Sequence, residues 1–197
     1  MRIKNRWLLG IGVTLLWITA TSSVAMGQAA HVRWDIVRLA GAPPPGIASA
    51  TANDCSKITL TGSGTFVAPA GGDGTSSAVT GGGTWETFSG SSPCPCDSTA
   101  TGTSTGSGTY EVTGLVRWEE KGTFPALPDN AVGGLAILRV LFSDGSHGVL
   151  VVSCHAPSGS DHAVFEGITV SKSFVDYWNR QAPVPGVDAN RTLFHIE

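Results

Sequence analysis

The phrase Thr-Gly-x-Gly-Thr-aromatic occurs three times in this chain. It reads TGSGTF from Thr61 to Phe66, TGGGTW from Thr80 to Trp85 and TGSGTY from Thr105 to Tyr110. Near-copies packed into one short stretch mean one structural unit used repeatedly. Thr and aromatic side chains suit a pleated, half-buried surface, and Gly inside such a run marks a bend or a close backbone approach. The unit is a glycine-interrupted strand. Gly71-Gly72-Asp73-Gly74 lies between the first two copies and turns the chain. A turn centred near Gly72 sets Gly62 opposite Gly82 and Thr61 opposite Gly83. If the third copy pairs with the second, a glycine-lined patch crosses three neighbouring strands.

Strand-like alternation continues on both sides. His31–Leu39 alternates Val32, Trp34 and Ile36 with Arg33 and Asp35. Lys57–Val67 and Ser77–Phe88 contain the first two copies. Thr99, Thr101, Thr103 and Thr105 alternate ahead of a face made of Tyr110, Val112, Val116 and Trp118. Leu135–Phe142 and Gly148–Cys154 flank Asp144-Gly145, a strong hairpin signal. Ala163–Val170 and Arg191–Ile196 complete the set. Phe174, Tyr177 and Trp178 fit helical spacing, so Ser173–Arg180 is a candidate for one or two helical turns. The Ala40–Ser49 stretch, with three consecutive prolines, reads as a loop. Short strands at this spacing predict an all-β chain: a single antiparallel barrel or strongly curved sandwich of about 8–9 strands with at most one short helix. Glycine kinks at one level of successive strands favour the barrel. The Gly-Thr-aromatic core resembles that of calycin-type and dirigent-like barrels; the resemblance includes no binding or catalytic motif.

The first residues read as a targeting segment. Arg2, Lys4 and Arg6 precede an apolar run from Trp7 to Thr19, and small residues follow, with cleavage sites after Ala25, Gly27 or Ala29. The run is shorter than a membrane span needs. The expected organisation is a cleaved secretory signal peptide over 1–27 and a single β domain over 30–197, secreted or periplasmic, with no membrane span in the mature chain. Without the three leader cations, nine basic residues face fifteen acidic ones, a net charge of −6. No basic patch is present, which argues against nucleic acid as a partner. Four cysteines in an exported chain imply two disulfides. Cys94 and Cys96 are too close to join each other comfortably, so each is expected to reach Cys55 or Cys154.

Chemistry-bearing residues are few. The densest cluster reads CHAPSGSDHAVFE from Cys154 to Glu166. His155, His162 and Glu166 are the candidate catalytic residues, as general acid and base. With Asp161 they could instead hold a divalent metal. Glu166 shares parity with Val164, Ile168 and Val170, and a carboxylate on a buried face has a raised pKa and needs partners. Trp85, Tyr110 and Asp161 are candidate binding residues; either ring could stack on a sugar, though core packing is the commoner use. No GxSxG, HExxH, P-loop or dinucleotide fingerprint is found in context, so no cofactor or metal is expected. The leading expectation is a secreted β-domain with a binding or structural role, without chemistry of its own. Its partner would be a small molecule, glycan or protein. The alternative is a small barrel enzyme of isomerase or hydrolase type, or a metal-binding protein, built on Glu166, His155 and His162.

Overall fold

The computed structural model describes residues 29–37, 46–68, 78–90, 102–127, 130–156, 164–181 and 189–197. The described chain is all-β and contains no helix. Its strands are β1 (Ala30–Ile36), β2 (Ala48–Thr51), β3 (Lys57–Leu60), β4 (Ser63–Ala68), β5 (Val79–Phe88), β6 (Ser104–Thr123), β7 (Ala131–Phe142), β8 (His147–Cys154), β9 (Gly167–Lys172), β10 (Val175–Tyr177), β11 (Asn179–Arg180) and β12 (Thr192–Ile196). All pair antiparallel in one sheet that curves into a ring.

The three phrase-bearing segments and β7 form the spine. β3 and β4 share one register along β5, with Leu60 opposite Trp85 and Ser63 opposite Gly82; only Thr61 and Gly62 separate them. β5 then pairs with β6, and β6 with β7 through three register shifts. At one end β1 joins β4 to β12, and β12 returns to β7. The circuit β4–β5–β6–β7–β12–β1 is thereby closed. At the other end β2 lies on β3, while β8 and β9 follow β7. The segment β10–β11 bridges that end: β10 pairs with β9, β11 pairs with β2, and only Trp178 intervenes. Closure of this kind leaves little free strand edge for unwanted pairing.

Aromatic rings fill the interior. Trp118 packs against Phe66 and Phe194 at centroid distances of 5.4 and 4.6 Å. Trp85 and Tyr110 lie against Phe142 at 5.9 and 6.1 Å. Each such pair adds about 0.5–1.5 kcal/mol beyond its area burial. The glycines of the repeat are what let these rings in. Gly64 faces Gly81 across β4 and β5, and a Cβ on either would come within 2.7 Å of the other's Cα. The Trp34 ring occupies that floor, since the same Cβ atoms would meet it at 2.8 and 3.1 Å. Gly62 makes room for the Tyr110 hydroxyl, which donates to the Thr61 carbonyl at 2.9 Å.

The threonines of the repeat take the opposite, solvent-facing side. Thr61 and Thr84 share a hydroxyl hydrogen bond at 2.7 Å, and Thr65 and Thr80 another at 2.8 Å. Cross-strand pairs of this kind help to fix register.

Several expectations are corrected. The strands number twelve rather than 8–9. The kink at Thr61–Gly62 splits one strand, and β2 was hidden because all four of its small residues are buried and show no alternation. The Ser173–Arg180 segment, left open as a candidate for one or two helical turns, is a turn followed by β10 and β11. Ser173 has φ of 55°, the chain reverses there, and pairing with β9 satisfies the backbone that a helix would have satisfied internally. The first two copies pair one residue out from the expected register, with Ser63 rather than Gly62 opposite Gly82 and Gly64 opposite Gly81 beneath the Trp34 ring. β5 and β6 do pair, with Trp85 opposite Gly108.

The disulfide expectation also changes. Cys154 is a free, buried thiol, so it anchors neither bridge. It sits at the end of β8 facing the core. Cys55 is disulfide-bonded; Cys94 and Cys96 lie outside the described residues, and no disulfide joins two described cysteines. Asn190, the start of an Asn-x-Thr sequon, is buried and accepts the Ser49 backbone N–H through its side chain. No helix among the described residues is long and apolar enough to cross a membrane.

Candidate functional site

Glu166 precedes β9 rather than lying within it, so strand parity does not aim it. Its carboxylate instead bridges two chain segments. One oxygen accepts the His155 backbone N–H at 2.9 Å, just after β8, and the other accepts the Thr192 backbone N–H at 2.7 Å, at the start of β12. Thr192 Oγ1 donates to the Ser153 carbonyl at 2.6 Å and lies 3.4 Å from Glu166. Burial raises the Glu166 pKa, opposed by these two backbone N–H groups and by the nearby Arg191 charge. A carboxylate held by backbone donors at both oxygens is fixed in place.

His155 is beside Glu166 through its main chain, while its ring turns elsewhere. Nδ1 lies 3.0 Å from the Val164 carbonyl oxygen. Cys154 is adjacent and its thiol is pushed well above the usual range, first by burial and then by the Glu166 charge. The thiol, not the thiolate, is the form this environment favours. His162 and Asp161 lie outside the described residues. Among the described residues no group of three or more His, Cys, Asp or Glu converges on a metal-sized position.

The two ring candidates are both core residues. Trp85 is 5% exposed and donates its indole N–H to the Thr109 carbonyl at 3.0 Å. Tyr110 is 4% exposed, and burial raises its phenol well above the usual range. Each reaches the surface only at an edge. Trp85 borders an open cleft of about 460 Å³ with Thr61, Thr84, Glu86 and Thr109. Tyr110 borders one of about 340 Å³ with Glu111, Leu141 and Ser143.

A further cleft is built around Trp178, one of the three aromatics whose helical spacing made their segment a helix candidate. Trp178 is 62% exposed, between β10 and β11. Its indole N–H donates to Asn53 Oδ1 at 3.2 Å, which fixes the ring while leaving it open to solvent. Asn53 belongs to the turn after β2, which the adjacent Cys55 disulfide and the Asp54–Ser56 hydrogen bonds hold. Beside the ring is a groove of about 270 Å³ formed by Val149, Val151, Thr169, Ser171, Asp176 and Trp178. The signal in the sequence was parity. Asp176 and Trp178 flank the inward-facing Tyr177, as strand residues do; helical spacing of the three aromatics masked it.

No family model, no curated protein and no solved structure matches this chain.

Proposed function

We propose that this chain is an exported β-barrel domain that binds a ligand on its outer surface and carries no reaction chemistry of its own. The observation that best supports this reading is the engagement of Glu166. Both carboxylate oxygens accept backbone N–H groups, so the residue with the strongest claim to acid–base work serves as a clasp between the end of β8 and the start of β12. A general base must reach a substrate proton, and these oxygens face main chain. The filled interior points the same way: Trp34, Phe66, Phe142 and Phe194 occupy the space that a ligand-carrying barrel leaves empty. The disulfide at Cys55 favours an oxidising compartment, in keeping with the leader-like first residues.

A second reading keeps one observation of its own. Glu166, with its raised pKa, and the His155 ring belong to one half-buried corner, and Asp161 and His162 are close in sequence; an isomerase, hydrolase or metal site would be built there. The two readings separate in one experiment. The secreted, oxidised protein is assayed against a panel of glycosidic, ester and ketone substrates, alongside H155A and E166Q. The binding reading expects no turnover above buffer. Turnover that both variants abolish, with folding intact by circular dichroism, overturns it. The N-terminal mass of protein recovered from medium or periplasm tests the export: an intact Met1 refutes it.

A further inference from the structure

Five large hydrophobic residues are exposed among the described ones, and four of them sit in one corner: Val149, Phe174, Val175 and Trp178. They belong to β8, to the β9–β10 turn, and to β10 with the residue after it. Val149 and Trp178 line one groove, and exposed apolar surface gathered in one place marks a contact site. Its composition narrows the contact. Trp178 presents a large apolar face whose orientation is fixed by Asn53. The strand surface beside it is mixed: Val149 and Val151 on β8 are apolar, while Thr169 and Ser171 on β9 and Asp176 on β10 are polar. Ser171 Oγ accepts the Val149 backbone N–H at 3.0 Å, so its own hydroxyl proton is left to donate. Asp176 contributes an exposed carboxylate, an acceptor only.

We propose that the groove beside Trp178 is a binding site for a neutral saccharide. A pyranose has an apolar C–H face and a rim of hydroxyls. The face stacks on the indole, a hydroxyl hydrogen bonds to Asp176, and a ring or hydroxyl oxygen accepts from Ser171. The apolar anchor of a protein partner needs a dry pocket, and here Thr169, Ser171 and Asp176 interrupt the apolar surface of Val149, Val151 and Trp178. An anionic ligand would meet Asp176 and a chain that is already net negative. The volume, about 270 Å³, is just below the usual range for ligand pockets, about 300 to 1,000 Å³. It suits one sugar ring, and the open groove lets the rest of a chain run past it. Because Trp178 is oriented before any ligand arrives, little ordering entropy is lost on binding.

This site rests on the binding reading above and names the ligand class for it. The test is affinity electrophoresis and pull-down of the oxidised protein with cellulose, chitin, β-glucan, xylan, galactomannan and starch. The expected result is retention on at least one. W178A should weaken that retention tenfold or more, W178F less, and D176N about three- to tenfold. L127A, at an exposed apolar residue away from the groove, should retain wild-type affinity. All variants are checked for an unchanged urea midpoint, and D176N carries the test if W178A does not fold. No retention on any of the six polysaccharides overturns the proposal, as does wild-type affinity in W178A and D176N. Release of soluble sugar by the retained wild-type protein would contradict the non-catalytic function, while loss of retention in W178A would still support the groove.

Discussion

The slot under Trp34 offers a quantitative test of what the repeated glycines do. Gly81 is the informative position. Its φ of 130° is one that L side chains rarely adopt, and a Cβ there would lie 2.5 Å from the Ser63 carbonyl oxygen, 2.7 Å from Gly64 Cα and 3.1 Å from the Trp34 ring. Two of these contacts are backbone, which cannot swing aside. The conformational part of Gly81→Ala costs roughly 1–3 kcal/mol, and overpacking against fixed neighbours a further 1–3 kcal/mol or so. The total is on the order of 4 kcal/mol, a large share of the roughly 5–15 kcal/mol available to a domain. With a urea m-value near 2 kcal/mol/M, the midpoint falls by about 2 M. Two other glycines calibrate the number. Gly145 has φ of 84° but no atom within 4 Å of its Cβ position, so G145A carries only the backbone cost of about 1–2 kcal/mol. Gly114 has no such φ, and its nearest contacts are Arg139 side-chain atoms at 3.7 Å or more, so G114A should be neutral or stabilising by up to about 1 kcal/mol. Equilibrium urea unfolding by near-ultraviolet dichroism gives all three values. If G81A proves no more destabilising than G145A, the close-approach account of the repeat is wrong.

Other consequences are open to direct measurement. The Glu166 pKa is raised above its ordinary value of 4.5 by burial, so the folded state holds that proton more tightly than the unfolded state. The stability this group contributes is therefore full below about pH 4.5 and is lost as pH rises through the folded value. The urea midpoint of the wild type should fall relative to E166Q across that window, and a wild-type-minus-E166Q difference that is flat from pH 4 to 7 would refute this. E166A, which strips acceptors from two backbone N–H groups, should cost about 2–4 kcal/mol; a loss below about 1 kcal/mol would mean that the clasp is idle. For Cys154, thiol titration with Ellman's reagent should find one fewer reactive group in C154A than in the wild type under denaturant, and no difference natively; native reactivity that C154A removes would show the thiol to be accessible. A double-mutant cycle on Thr61 and Thr84 with valine should give a coupling of about 0.5–1 kcal/mol, and additive single effects would show that the shared hydroxyl bond contributes nothing.

What could be read ahead of the fold was whatever lay in local pattern. The Asp144-Gly145 hairpin, the pairing of the second and third copies of the repeat and the inward Tyr110 and Val112 follow from alternation and turn chemistry; beyond Val112 two register shifts break the expected alternation, so Leu115 rather than Val116 is fully buried before Trp118. What was not legible had a definite cause in each case. β2 is four small residues buried throughout, so no periodicity announced it. Tyr177 and Trp178 satisfied a helical period as well as a strand period, and only the hydrogen bonds offered by β9 and β2 chose between them. The candidate site suffered most from that ambiguity, because Trp178 points outward only if the segment is extended. Glu166 was singled out on strand parity, yet it precedes β9, and its partners are backbone groups of His155 and Thr192, which no side-chain pattern encodes.

The amino-acid sequence by itself determined that this chain would be all-β, curved and glycine-kinked, because strand alternation and the repeated phrase are properties of neighbouring residues. The tertiary structure alone decided how the sheet closes, that Cys154 stays a free thiol, and that an indole stands exposed beside a groove. Those outcomes depend on which distant segments meet. The Trp34 ring lies against two bare backbones, Gly64 and Gly81, which meet only when the first two copies pair. Likewise a single turn at Asn53, far from Trp178 in the chain, fixed the orientation of the residue on which the proposed binding site depends.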